Sequence, residues 1–146
     1  MNYRRTLGQY IKTDVQTAGR MDLVIMCYER IIQSLKEAKN YFQDEQFEKK
    51  GQVFQNALDI IDELRCSLDY EKGGQIADNL NAIYGYITGR LLQGNIDKDL
   101  TVFDEAIQIM SELKEAWDQI VSGCMDNIPS IAVPDSIKKQ TTQIAA

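Results

Sequence analysis

Residues 73–96 read GGQIADNLNAIYGYITGRLLQGNI and hold two charged residues, Asp78 and Arg90, in a chain that is 26% charged overall. Even sampling would put about six charges in a window of this size. Ile76, Leu80, Ile83, Ile87 and Leu91 recur at steps of three and four, which is the spacing of one face of an α-helix. A helix on the surface normally carries its charges opposite such a stripe. This one does not, so it is either enclosed on all sides or covered by a partner along its outer face.

Three further windows show the same period. Val24, Tyr28, Ile31, Leu35, Ala38 and Phe42 mark a helix over residues 20–44, with Gly19 as N-cap and Asp22 near the positive end of the dipole. Phe54, Ala57, Ile61, Leu64 and Leu68 mark a second, which ends near Tyr70. The pair Gly73-Gly74 then supplies a flexible corner before the third. Asp97 is the expected N-cap of a fourth helix, with Phe103, Ile107, Met110, Leu113, Trp117 and Ile120 facing inward. Helices of about 22 residues, each some 33 Å long and joined by short links, predict an all-α fold: an antiparallel four-helix bundle.

The ends differ from the middle. Both prolines, Pro129 and Pro134, fall after residue 121, where the periodicity stops, so 122–146 reads as a flexible, poorly ordered tail. Residues 1–19 offer Tyr3, Leu7, Tyr10 and Ile11 as one apolar edge of a short segment. The expected organisation is a cap segment over 1–19, the bundle over 20–121 and the tail.

Charge and composition narrow the function. Lys and Arg total 16 against 22 Asp and Glu, a net charge of -6, which disfavours nucleic acid and anionic membranes as partners. The N-terminus has Arg4 and Arg5 but no apolar run of the length that a secretory signal or a membrane span needs, so a cytoplasmic protein is expected. Cys27, Cys66 and Cys124 are odd in number and widely spaced, unlike a disulfide framework or a zinc knuckle.

The chain has no histidine. That excludes Ser-His and Cys-His nucleophiles, and the Glu-x-x-His ligands on which helical bundles build metal centres. Acidic residues such as Glu112, Glu115 and Asp118 lie opposite the fourth stripe, where a solvated face places them. No catalytic residue, metal site or cofactor is expected. Tyr28 and Trp117 read as core anchors with their polar tips at an edge, Met26 and Met110 as core filler, and Cys66 as exposed.

Gly85 and Gly89 each cost about 1 kcal/mol relative to Ala inside a helix, yet they project away from the core stripe. Ala82 and Leu92 share their side, Asn79 and Tyr86 form one shoulder, and Tyr84 and Asn95 the other. The outer face is therefore small, uncharged and partly aromatic, and open to close approach by another backbone. Its cover is the chain's own first segment or tail, an amphipathic helix of another protein, or the first segment until a partner displaces it.

These residues also resemble a known family. Val15-Gln16-Thr17-Ala18, the run from Leu23 to Tyr28, Ile60-Ile61-Asp62-Glu63-Leu64, Ser67-Leu68-Asp69 and Gly73-Gly74-Gln75-Ile76-Ala77 come in order. They are followed by Asn79-Leu80, Ile83-Tyr84, Tyr86-Ile87, Asn95 and Leu113 to Trp117. Together the series, over residues 10–120, is similar to the flagellar export chaperone FliS family. The resemblance implies an antiparallel helical bundle with an N-terminal cap and no enzymatic activity. Such a bundle binds the C-terminal segment of flagellin, which becomes helical on its surface and is kept from premature polymerisation. It also implies a flagellar anti-sigma factor or an export-gate component as further partners.

Carried over, Tyr10 belongs to a displaceable cap and residues 79–95 to the binding surface. The expected partner-binding residues are Asn79, Ala82, Ile83, Tyr84, Gly85, Tyr86, Ile87, Gly89, Leu91 and Asn95, with Tyr3, Leu7, Tyr10 and Ile11 in the cap. The chain departs from the family pattern at Gly19-Arg20, where Ser-Pro is common, at Gly85, where an acid is common, and at Cys27, where Leu is usual. A competing reading is a general helical adaptor that dimerises through the outer face of the third helix.

Overall fold

A computed structural model of the chain describes residues 18–121, with side chains described from 21 to 119. Four helices follow one another: α1 (Ala18–Gln43), α2 (Phe47–Cys66), α3 (Tyr70–Asp97) and α4 (Thr101–Val121). Links this short force successive helices to run antiparallel. α1 packs on α2 and α4, and α3 packs on the same two, so α1 and α3 stand diagonally across the bundle. The expected all-α four-helix bundle is the observed fold. The expected cap residues Tyr3, Leu7, Tyr10 and Ile11, the tail 122–146 and the side chain of Ile120 lie outside the described residues.

Three helix boundaries differ from the sequence reading. α1 begins at Ala18, so Gly19, expected as its N-cap, lies inside the helix. Tyr70, expected to close the second helix, opens α3 instead, because the Asp69 carboxylate accepts hydrogen bonds from the Glu71 and Lys72 N–H groups and starts a turn there. α2 ends at Cys66. The corner expected at the glycine pair is a kink at Gly74, whose φ of 50° suits a residue without Cβ. Asp97 is not the N-cap of α4 but the last residue of α3. Lys98 takes a left-handed conformation that ends α3, and Asp99 then accepts from the N–H and the hydroxyl of Thr101.

The four stripes meet in one core. Tyr28, Ile31 and Leu35 of α1, Ala57 and Ile61 of α2, Ile83, Ile87 and Leu91 of α3, and Phe103 and Met110 of α4 are fully or almost fully buried. Phe103 packs against Phe42 and Phe54 with ring centroids 6.2 and 5.8 Å apart, joining α1, α2 and α4 near one end. Gly94 is buried at the α3–α4 crossing, where a Cβ would run into the side chain of Val102. Met26, expected as core filler, is 57% exposed, since it falls between the buried positions Ile25 and Cys27 on the outer side of α1.

A polar tie crosses the middle of the core. The Tyr28 and Tyr84 hydroxyls lie 2.6 Å apart, and the Trp117 indole N–H donates to the Tyr28 oxygen at 2.8 Å. Three helices, including the diagonal pair α1 and α3, are thus joined at one oxygen. No buried side-chain nitrogen or oxygen among the described residues lacks a hydrogen-bond partner.

Candidate functional site

The outward side of α3 carries a second stripe, opposite the core stripe. Asp78, Ala82, Gly85, Gly89, Leu92 and Ile96 follow one another at steps of four and three. Gly89 is exposed, and a Cβ placed on it would meet nothing within 4 Å; Ala82 and Gly85 are half-buried. Beyond these small residues, Leu92 is 46% and Ile96 72% exposed, two of the large apolar side chains that the bundle leaves in water. A shallow floor therefore runs along α3 and rises into apolar side chains at its C-terminal end.

α2 and α4 supply the two rims. On the α2 side, Arg65 Nε donates to Asn81 Oδ1 at 2.6 Å, which lays the guanidinium beside Gly85, 3.3 Å from where a Cβ would stand. Lys50 Nζ donates to Asn95 Oδ1 at 2.7 Å farther along the same rim. On the α4 side, Glu105 accepts from both the Tyr86 hydroxyl and Arg90 Nε, at 3.1 and 3.2 Å. The hydrogen bond to Glu105 raises the Arg90 pKa above its ordinary value and keeps that rim charge-paired.

The residues expected to bind a partner divide by burial. Asn79, Ala82, Gly85, Tyr86, Gly89 and Asn95 reach the surface, whereas Ile83, Tyr84, Ile87 and Leu91 are buried at 2% exposure or less. The expected outer-shoulder position of Tyr84 is corrected: α3 packs against two helices, so its buried arc is wider than one stripe and takes Tyr84 in. Leu92 was legible as outward-facing from the sequence. Ile96 continues the same spacing beyond the expected set, and Arg65 comes from another helix, so no local periodicity points to it.

The buried thiol of α1 is unreactive. Burial pushes the Cys27 thiol up to about 11, so it is protonated and inert at neutral pH. No group of three potential metal ligands lies among the described residues. What the face offers is shape, apolar contact and a few fixed polar groups.

Fold and face together define an all-α bundle with a sparsely charged, small-residue and apolar outer helix surface. The chain matches the family described as "Flagellar protein FliS" over residues 3–123. It is 36% identical over 121 residues to the flagellar secretion chaperone FliS of Vibrio cholerae, covering 80% of this chain and 89% of that one. It is 34% identical over 111 residues to the flagellar secretion chaperone FliS of Salmonella typhimurium, covering 75% and 82%. Similarity to FliSB of Pseudomonas aeruginosa is 33% over 110 residues, covering 75% and 87%. The chain belongs to the FliS family of flagellar secretion chaperones.

Proposed function

We propose that this protein is a non-enzymatic cytoplasmic chaperone that binds the C-terminal segment of flagellin, keeps it from premature polymerisation and assists its export through the flagellar type III system. The observation that carries the reading is the outer stripe of α3, small at Ala82, Gly85 and Gly89 and apolar at Leu92 and Ile96. A small floor lets a client helix approach the α3 backbone closely. Covering Leu92 and Ile96 then recovers part of the roughly 1.5–3 kcal/mol that full burial of such a side chain provides. Ordering the client segment opposes this gain and moderates the affinity. In this reading Tyr3, Leu7, Tyr10 and Ile11 cover the face until the client displaces them. A flagellar anti-sigma factor or an export-gate component is a later partner of the chaperone.

Calorimetry with a flagellin C-terminal peptide tests the reading. Ala82→Glu and Leu92→Glu, with folding checked by circular dichroism, should each weaken binding at least about tenfold, equivalent to about 1.4 kcal/mol. Glu115→Lys, on the exposed side of α4, should bind like the parent chain. Equal affinities for all three variants would remove α3 as the binding face. Sedimentation that finds a stable dimer, undisturbed by the peptide, would favour the adaptor reading.

A further inference from the structure

Two charges of opposite sign border the outer stripe of α3, and neither forms an ion pair with any described residue. Asp78 stands on the stripe itself, near the N-terminal end of α3, exposed and without a hydrogen bond among the described residues. Arg65 reaches the stripe from α2; its Nε is occupied by Asn81, but its terminal nitrogens lie 3.3 and 3.5 Å from the Cβ position of Gly85. Of the cations on the two rims, Arg90 is bound to Glu105, and Lys50 to Asn95. The face therefore reads, from one end to the other, negative at Asp78, positive at Gly85, small at Gly89, and apolar at Leu92 and Ile96.

We infer that Arg65 and Asp78 are the specificity-determining residues of this face, and that they set the register and direction of one amphipathic client helix. The inference rests on the client-binding reading above. Gly85, Leu92 and Ile96 follow Asp78 by 7, 14 and 18 residues. A client helix aligned with α3 has the same rise of about 1.5 Å per residue. It thus presents a basic side chain to Asp78, a carboxylate about 7 residues away to Arg65, and apolar side chains about 14 and 18 residues away to Leu92 and Ile96. A helix laid in the reverse direction with its carboxylate kept on Arg65 sets its basic side chain against Leu92 and an apolar side chain against Asp78, and so loses the other contacts. The charges select among apolar segments that the uncharged floor alone would accept equally. Asn81 serves as the positioning residue, since it fixes the guanidinium over Gly85 before the client arrives.

The test is calorimetry of the full chain with a flagellin C-terminal peptide at low and high salt. Arg65→Gln should weaken binding about tenfold at low salt and remove most of the difference between the two salts. Asp78→Asn, which breaks no hydrogen bond or ion pair among the described residues, should weaken it severalfold in the same salt-dependent way. Arg30→Gln, exposed on α1, should change neither. Arg65→Glu should regain affinity for a peptide whose facing acid is replaced by Lys.

If both variants bind like the parent while Leu92→Glu abolishes binding, the charge register is overturned and the client face stands. If the parent chain binds no flagellin peptide, both readings fall. A second copy as occupant would show as a dimer that Arg65→Gln dissociates. The chain's own residues 1–17 as occupant would show as a lower melting temperature for Arg65→Gln without peptide and unchanged peptide affinity. Either result overturns the proposal.

Discussion

Gly89 and Gly94 lie on the same helix and face opposite ways, so one substitution gives opposite outcomes at the two. A Cβ at Gly89 meets nothing within 4 Å, and Gly89→Ala should stabilise the bundle by about 0.5–1 kcal/mol through helix propensity alone. The same methyl lies on the floor of the proposed client face, so on that reading flagellin-peptide affinity should fall. Gly94→Ala drives a methyl into Val102 and should destabilise by about 1–3 kcal/mol. Urea unfolding followed by Trp117 fluorescence separates the two.

The tyrosine pair gives a second residue-level expectation. Burial pushes the Tyr28 hydroxyl from 10.0 up to about 12 and holds Tyr84 well above its ordinary value. The folded state thus favours the neutral phenols, so their contribution to stability is complete below about pH 10 and is lost as the pH rises through 12. Tyr28→Phe leaves both Tyr84 and Trp117 without their partner and should cost about 1–3 kcal/mol. Tyr84→Phe leaves the Trp117 bond in place and should cost less. Melting temperatures across the alkaline range measure both effects.

Among the elements, α3 is the one whose period was plainest in the sequence and whose surroundings were not. Its core stripe followed from spacing, and the bundle from four such stripes with short links. The outer face followed too, because Gly85, Gly89 and Leu92 fall opposite that stripe. Tyr84 did not, since the width of a buried arc depends on how many helices pack against it. Arg65 did not, since its place beside Gly85 depends on the crossing of α2 and α3. Boundaries moved where side chains compete to cap: Asp69 claimed a turn ahead of the glycines, and Asp99 displaced Asp97. The kink at Gly74 uncouples that first turn from the rest of α3. Asp69→Ala should therefore release the amides of residues 71 and 72 to rapid hydrogen exchange, at a cost of about 1 kcal/mol, and leave 75–97 protected.

For the whole molecule, the proposed client site would link folding and binding through α3, which packs less extensively on its neighbours than α1 does. A ligand that binds only the folded bundle stabilises it by mass action. With a flagellin C-terminal peptide at about 100 times its Kd, the unfolding free energy should rise by about 2.7 kcal/mol. The added protection should be greatest in α3, whose outer amides and side chains the proposed binding mode covers. Leu92→Glu should unfold at nearly the parent midpoint without peptide, since Leu92 is half-exposed and leaves the core stripe untouched, but should gain little when peptide is added. Denaturant titrations of both chains with and without peptide decide the matter. A peptide-induced gain that survives Leu92→Glu undiminished would place the client on another face of the bundle.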